Sequence, residues 1–328
     1  MADFKELVKE NPAATAGIAV AALIALVILL VRPVRNGAIK FGATLYLQLS
    51  FWGSHTICLI LQVLVLIIFS WWLPKRYCTT LFGMCQQITI LFIMVLNPFW
   101  YVKVHKRSKL GIPKGAVVVC NHLSYVDSWI VASAIFPVPP KFVAMHSLFK
   151  MPLFGQVMKL SGHIPVKFQK KEDGRWGVSN GDEVTARGRQ YLEWGNRLVV
   201  FPEGSLSRTG ELLEFKMGFF RLAHEMNRPV VPVACWGNHK MFPPGNQWAL
   251  ADFARVYCQI GDPVMPSDFE TPELLRDYVV NSVKEMKENL PSYDKAAVAR
   301  AVAEAEAKKS SAVTPAAGGP PADDVPEF

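Results

Sequence analysis

The chain has 328 residues, 51% of them hydrophobic and 19% charged, with a formal net charge of +8. That length suits one catalytic domain plus an extra segment. The positive charge does not point to nucleic acid. No Asp or Glu occurs between Glu10 and Asp127, and the cations in that interval flank apolar runs, a distribution that fits anionic lipid headgroups.

The first element, residues 13–31, is an unbroken apolar run. At ~1.5 Å per residue it spans roughly 28 Å, the hydrocarbon thickness of a bilayer. Its leader holds acids as well as lysines, so it predicts a retained anchor rather than a cleaved signal. Further apolar runs cover about 56–73 and 81–100, with Trp71, Trp72, Trp100 and Tyr101 at their ends, where interfacial aromatics belong. The loop 32–40 and the segment 103–114 are the most basic, which places both on the cytoplasmic side. The hairpin 41–101 between them either crosses and returns or sits in one leaflet, since its tip carries Lys75 and Arg76. The division predicted is a transmembrane anchor at 1–40, a membrane-embedded helical hairpin at 41–110, a catalytic domain at 111–292, and a helical extension with a disordered tail at 293–328.

From about Gly115 apolar strands alternate with helical patterns. Strands are expected at 116–120, 142–145, 164–168, 197–201, 230–235 and 255–260. Helices are expected near 125–136, 147–160, 181–194, 213–226 and 271–288, with a frayed one at 295–309. Continuous Val-rich strands alternating with helices predict an α/β fold with a mostly parallel central sheet flanked by helices, preceded by the membrane helices. Ligands in such sheets sit beyond the carboxyl ends of the strands. The six cysteines form no C-x-x-C pair and read as free, packed thiols in a reducing compartment.

Two motifs occupy strand ends. Asn121-His122-Leu123-Ser124-Tyr125-Val126-Asp127 follows the run 116–120. A carboxylate five residues after an imidazole can hold one ring nitrogen and leave the other to take a proton. Ser124 and Asp127 also spell a capping box, so a helix start is the competing reading. Phe201-Pro202-Glu203-Gly204 follows the run 197–200, where Glu203 either positions a ligand or merely occupies a tight turn. Ser205, Ser207, Arg208, Thr209 and Gly210 then make an anion cradle, to which a helix opening near Phe215 could add its N-terminus. Between the motifs, Ser161-Gly162-His163-Ile164-Pro165-Val166-Lys167 ends on a lysine that either reaches phosphate or is a surface side chain.

These motifs, in this order and spacing and followed by Val230-Val231-Pro232-Val233-Ala234-Cys235-Trp236-Gly237, resemble the glycerolipid acyltransferase family, of which lysophosphatidic acid acyltransferases are typical members. The resemblance covers about 115–262, and the hydrophobic hairpin resembles the family's two-helix membrane element. It implies that His122 is the general base and Asp127 orients it. Glu203, Gly204, Ser205 and Arg208 would bind the acceptor, Gly162 and Lys167 its phosphate, and Val231-Pro232-Val233 would shape the acyl-donor side. The chain departs from the family in carrying Lys167 where arginine is usual, and Ser205-Leu206 where Thr-Arg is usual.

The reaction implied is acyl transfer from acyl-CoA, a co-substrate, to the free hydroxyl of 1-acyl-sn-glycerol 3-phosphate, with no cofactor and no metal. Lysophospholipid, acyl-CoA and the bilayer are the expected partners; oligomeric state is left open. Amides near Gly204 or Ser124 are candidate oxyanion donors. The expected location is an integral membrane site facing the cytoplasm, in the endoplasmic reticulum or alternatively a plastid or bacterial inner membrane. Acylation of another lysophospholipid, a metal-assisted lipid hydrolase and a non-enzymatic membrane scaffold are the alternatives.

Overall fold

The computed structural model describes Val20 and residues 32–170, 176–245, 249, 251–291 and 293–312. The apolar run 13–31 and the tail beyond 312 lie, apart from Val20, outside the described residues. By its contacts the chain divides into one unit ending at Gln48 and another beginning at Leu49.

Among the described residues two helices are long and apolar enough to cross a membrane, Asn36–Phe69 and Lys75–Leu96, whose most apolar 18-residue windows have mean hydropathy 2.1 and 1.8. The first belongs to α1, Arg32–Phe69. The basic stretch expected as a loop at 32–40 is therefore helical. Pro74 disfavours helix in the residue before it and serves as the N-cap of α2, Lys75–Leu96, so the hairpin turns at 70–74. Trp71 and Trp72 are exposed in that turn.

A seven-stranded sheet follows, in the order β1-β9-β8-β2-β7-β3-β4. Its strands are β1 Trp100–Lys106, β2 Val117–Cys120, β3 Pro140–Met145, β4 Ile164–Val166, β7 Arg197–Val200, β8 Val230–Trp236 and β9 Ala254–Ile260. Phe168–Lys170 and Trp176–Val178 form β5 and β6, a separate antiparallel ribbon. Strands β8, β2, β7, β3 and β4 run parallel, and β9 reverses against β8. Every residue of β2 and β8 is buried, as strands covered on both faces require. Strand β1 was not expected: the sequence reading ended an apolar run at Trp100 and began a basic interfacial segment at 103. Those residues pair with β9 in parallel, from Trp100 beside Ala254 to Lys106 beside Gln259.

The helices are α3 Asp127–Ala134, α4 Phe154–Leu160, α5 Gly181–Glu193, α6 Gly218–Glu225, α7 Pro272–Glu288 and α8 Lys295–Ala312. Helix α7 shows why such segments fold. Thr271 caps it by accepting from the Leu274 amide, Pro272 stands in its first turn, and Leu275, Val279, Val283 and Met286 form one buried stripe.

A buried polar seam ties the hairpin to the sheet domain. Gln62 donates to the Phe82 carbonyl at 3.0 Å and to Ser161 Oγ at 2.9 Å. Gln87 donates to the Ala132 and Val138 carbonyls, both at 2.8 Å. Lys141 Nζ donates to Thr79 O at 2.7 Å and Ser161 O at 2.6 Å. His163 Nδ1 accepts from the Phe142 amide, so its Nε2 carries the hydrogen that meets Gln86 Oε1 at 2.8 Å. The opposite surfaces of both helices are apolar and exposed, at Ile60, Leu64, Ile67, Ile88, Phe92 and Val95.

Burial pushes the Lys141 ammonium down to about 7. The unfolded chain therefore binds more protons between pH 7 and the ordinary lysine range, so this group makes stability rise with pH across that window. Lys141→Met should cost about 2 kcal/mol by removing two buried donors. It should also flatten the rise, which thermal unfolding in detergent at pH 7 and pH 9 would measure.

Candidate active site

His122 leaves the end of β2, and Glu203 leaves the end of its parallel neighbour β7, so both lie at one edge of the sheet. His122 Nδ1 and Asp127 Oδ2 are 2.8 Å apart. Asp127 is fully buried, the first residue of α3, and His122 keeps 24% of its side chain exposed. The same Oδ2 accepts the Leu123 amide at 2.7 Å and the Ser124 amide at 3.0 Å. Asn238 Nδ2 donates to Oδ1. Because the Oδ2 carboxylate oxygen accepts, Nδ1 carries the ring hydrogen and Nε2 is left with its lone pair. The capping box does not form: α3 starts after Val126 with no side-chain cap, and the Ser124 hydroxyl turns to the Phe242 carbonyl, so Asp127 serves the imidazole and the amides of its own turn. The ring stacks on Phe201, with centroids 4.3 Å apart and planes 20° apart.

Glu203 is nearly as buried as Asp127. Its Oε1 accepts the His122 amide at 2.8 Å and its Oε2 the Leu213 amide at 3.0 Å. Burial pushes its carboxyl up to about 7, outweighing the two amides and the positive charge of Lys287 that pull it down. Glu203 thus works on backbone, spanning from the His122 turn to the far end of loop 203–213. The Ser207 amide adds a bond to the His122 carbonyl at 2.9 Å. The loop then alternates, with Glu203, Ser207 and Gly210 buried and Gly204, Ser205 and Arg208 exposed. Gly204 has φ +73 and open space where a side chain would stand, so a ligand can approach its backbone.

The other expected residues are dispersed. Lys167 is exposed just past the end of β4, which lies three strand spacings, about 14 Å, from β2. Gly162 precedes β4 and so lies toward the opposite edge. It is buried with φ +74, and a Cβ there would stand 2.6 Å from Tyr191 Oη, which accounts for glycine on backbone grounds. Val231, Pro232 and Val233 are interior residues of β8, paired with Val118, Val119 and Cys120. Both amides expected to stabilise an oxyanion are engaged, Gly204 N with the Phe201 carbonyl at 3.1 Å and Ser124 N with Asp127. The Ser124 hydroxyl donates to the Phe242 carbonyl. Among the described residues no three His, Cys, Asp or Glu are grouped to hold a metal ion.

Two residues take roles that the sequence did not assign, Asn121 of the first motif and Asn238. Asn121 bonds both the Cys235 amide at 2.8 Å and its carbonyl at 3.0 Å, locking β2 to β8 just before His122. Asn238 follows Gly237, whose φ of +93 and 2.3 Å clearance to the Arg255 carbonyl admit only glycine. A polar residue directly after an apolar strand was the available signal, the same one that marked His122.

Residues 101–236 match the family model described as Acyltransferase. A 1-acyl-sn-glycerol-3-phosphate acyltransferase of Cocos nucifera is 32% identical over 124 residues, 38% of each chain. One of Saccharomyces cerevisiae is 29% identical over 193 residues, 56% of this chain and 60% of the yeast protein. The matches thus span about two fifths to three fifths of these relatives' lengths. The crystal structure of a 1-acyl-sn-glycerophosphate acyltransferase from Thermotoga maritima superposes with TM-score 0.59 at 22% identity, covering 79% of this chain and 99% of that one. At that identity the likeness shows a shared fold.

Asn238→Ala would leave Asp127 Oδ1 buried without its side-chain donor, at a cost of about 1.5 kcal/mol of stability. The expected result is a melting temperature lower by a few degrees together with a lower kcat at temperatures where the variant is folded, read from a melting curve and initial rates on the same preparation.

Proposed function

We propose that the chain transfers an acyl group from acyl-CoA to the free hydroxyl of 1-acyl-sn-glycerol 3-phosphate, forming phosphatidic acid. The observation that carries this reading is the partly exposed His122 ring, held through Nδ1 by buried Asp127 so that Nε2 is left to accept, inside the segment that matches the Acyltransferase family model. The names of the relatives supply the acceptor.

His122 Nε2 takes the hydroxyl proton as the oxygen attacks the thioester carbonyl, and Asp127 stabilises the imidazolium that forms. The carbon–sulfur bond then breaks, and the departing thiolate recovers the proton from the ring. Thiolate is a good leaving group, so the reaction needs no acyl-enzyme. Arg208 and the open backbone at Gly204 and Ser205, on the loop bonded to His122, favour an anionic headgroup on the acceptor. Lys167, farther along the sheet edge, extends the positive surface.

The exposed apolar surfaces of α1 and α2 support membrane association, and the seam behind them would hold the site at the bilayer surface. Acceptor and acyl chain could then enter from the lipid, which each prefers to water by ~0.8 kcal/mol per CH₂. We place the site on the cytoplasmic face of the endoplasmic reticulum, with plastid and bacterial inner membranes as alternatives.

His122→Ala should lower kcat by about a thousandfold with labelled acyl-CoA and lysophosphatidate while leaving the fold intact. CoA release at the native rate by that variant would sink the mechanism. A panel of lysophospholipid acceptors, run with acyl-CoA and with the same acyl chain on acyl carrier protein, identifies both substrates by the product formed. Arg208→Ala and Lys167→Ala should each raise the apparent KM for lysophosphatidate about fivefold and change kcat less. An unchanged KM in both variants would withdraw the phosphate assignment.

A further inference from the structure

One buried charge beside the site comes from beyond the family-matched segment. Lys287, in the last turn of α7, is 2% exposed, and its Nζ donates to the Gly210 carbonyl at 2.7 Å. Gly210 has φ +83, and a Cβ there would stand 3.1 Å from Trp236 and 3.5 Å from Val298 of α8. The middle of loop 203–213 is therefore pinched between the end of β8 and α8, with Lys287 on its carbonyl. The connection continues to the catalytic turn: the Gly210 amide donates to Ser207 Oγ at 3.1 Å, and the Ser207 amide donates to the His122 carbonyl. Electrostatics runs alongside, since Lys287 and Glu203 attract one another. Glu203 is faced by His122 and Lys287. Lys287 is faced by Glu203, Glu211, Glu288 and Lys284, and its ammonium lies 5.8 Å from the Tyr293 ring.

A buried ammonium is costly to desolvate, and an apolar side chain could fill the same space. The cation must therefore answer to the loop. We propose that Lys287 is a positioning residue: it anchors the Gly210 carbonyl and sets its charge against Glu203, holding loop 203–213 in the shape that grips the acceptor beside His122. This rests on the acyl-transfer reading. With the charge removed, Glu203 takes up a proton at higher pH and its hold on the His122 and Leu213 amides weakens.

The test compares Lys287→Met, which lacks both donor and charge, with Lys287→Gln, which keeps a donor, in the full-length chain in detergent. Both should move the acid limb of kcat/KM upward by at least about half a pH unit. Lys287→Met should raise the acceptor KM about fivefold and leave the acyl-CoA KM within about twofold, with Lys287→Gln closer to native. Hydrogen exchange at residues 204–213 should quicken in Lys287→Met. A folded Lys287→Met with native acid limb, acceptor KM and loop exchange overturns the proposal. If Lys287→Met does not fold, the acid limb of Lys287→Gln decides: a shift supports the proposal and a native limb overturns it. If the unmodified chain acylates no lysophospholipid, the functional reading fails separately. Loop exchange then still judges the clamp, with unchanged exchange overturning it and faster exchange supporting it.

Discussion

The contact between His122 Nδ1 and Asp127 Oδ2 organises everything around it. An imidazole serves as a base only if one nitrogen is fixed as a donor, which frees the other to accept. Here the fixing group is itself fixed. Asp127 receives two amides of its own turn, the Asn238 side chain and the ring hydrogen, and it opens α3. Asn121 joins the ends of β2 and β8, and Glu203 with Ser207 holds the His122 turn from the β7 side. The ring thus sits in a frame drawn from three adjacent parallel strands. That arrangement meets the demand that a base be held within a fraction of an ångström of its working position.

Glu203 shows how a motif residue can act at one remove. Both of its oxygens are occupied by backbone amides, so its part is to hold the loop whose exposed members, Gly204, Ser205 and Arg208, can meet a ligand. Two amides alone would draw its carboxyl down; burial drives it up, and burial wins.

Much of this was legible before any coordinates. Strands β2, β7 and β8 were expected because continuous Val-rich runs suit strands covered on both faces, and the motif residues His122, Asp127 and Glu203 fall where the parallel sheet ends. Strand β1 was not. Its residues, Trp-Tyr-Val-Lys-Val-His-Lys, directly follow an apolar helix, and interfacial aromatics with cations give the same pattern as an edge strand. Gly162 was grouped with the ligand-binding residues by its motif, yet the Tyr191 hydroxyl against it comes from the helix expected at 181–194, whose packing on Gly162 the local sequence does not reveal. The partners of Asn238 and Lys287 were hidden for one shared reason: they lie 111 and 77 residues away, and only the folded sheet brings them near.

The seam between hairpin and domain carries a practical consequence for anyone trimming the protein for solubility. Excising α1 and α2 would strip one partner each from Lys141 and His163, the Thr79 carbonyl and the Gln86 side chain, and open to water a face built around an ammonium, an imidazole and the Ser161 hydroxyl. A shortened version would need those positions redesigned together, because the helices that greet the lipid also complete the floor on which the sheet domain rests.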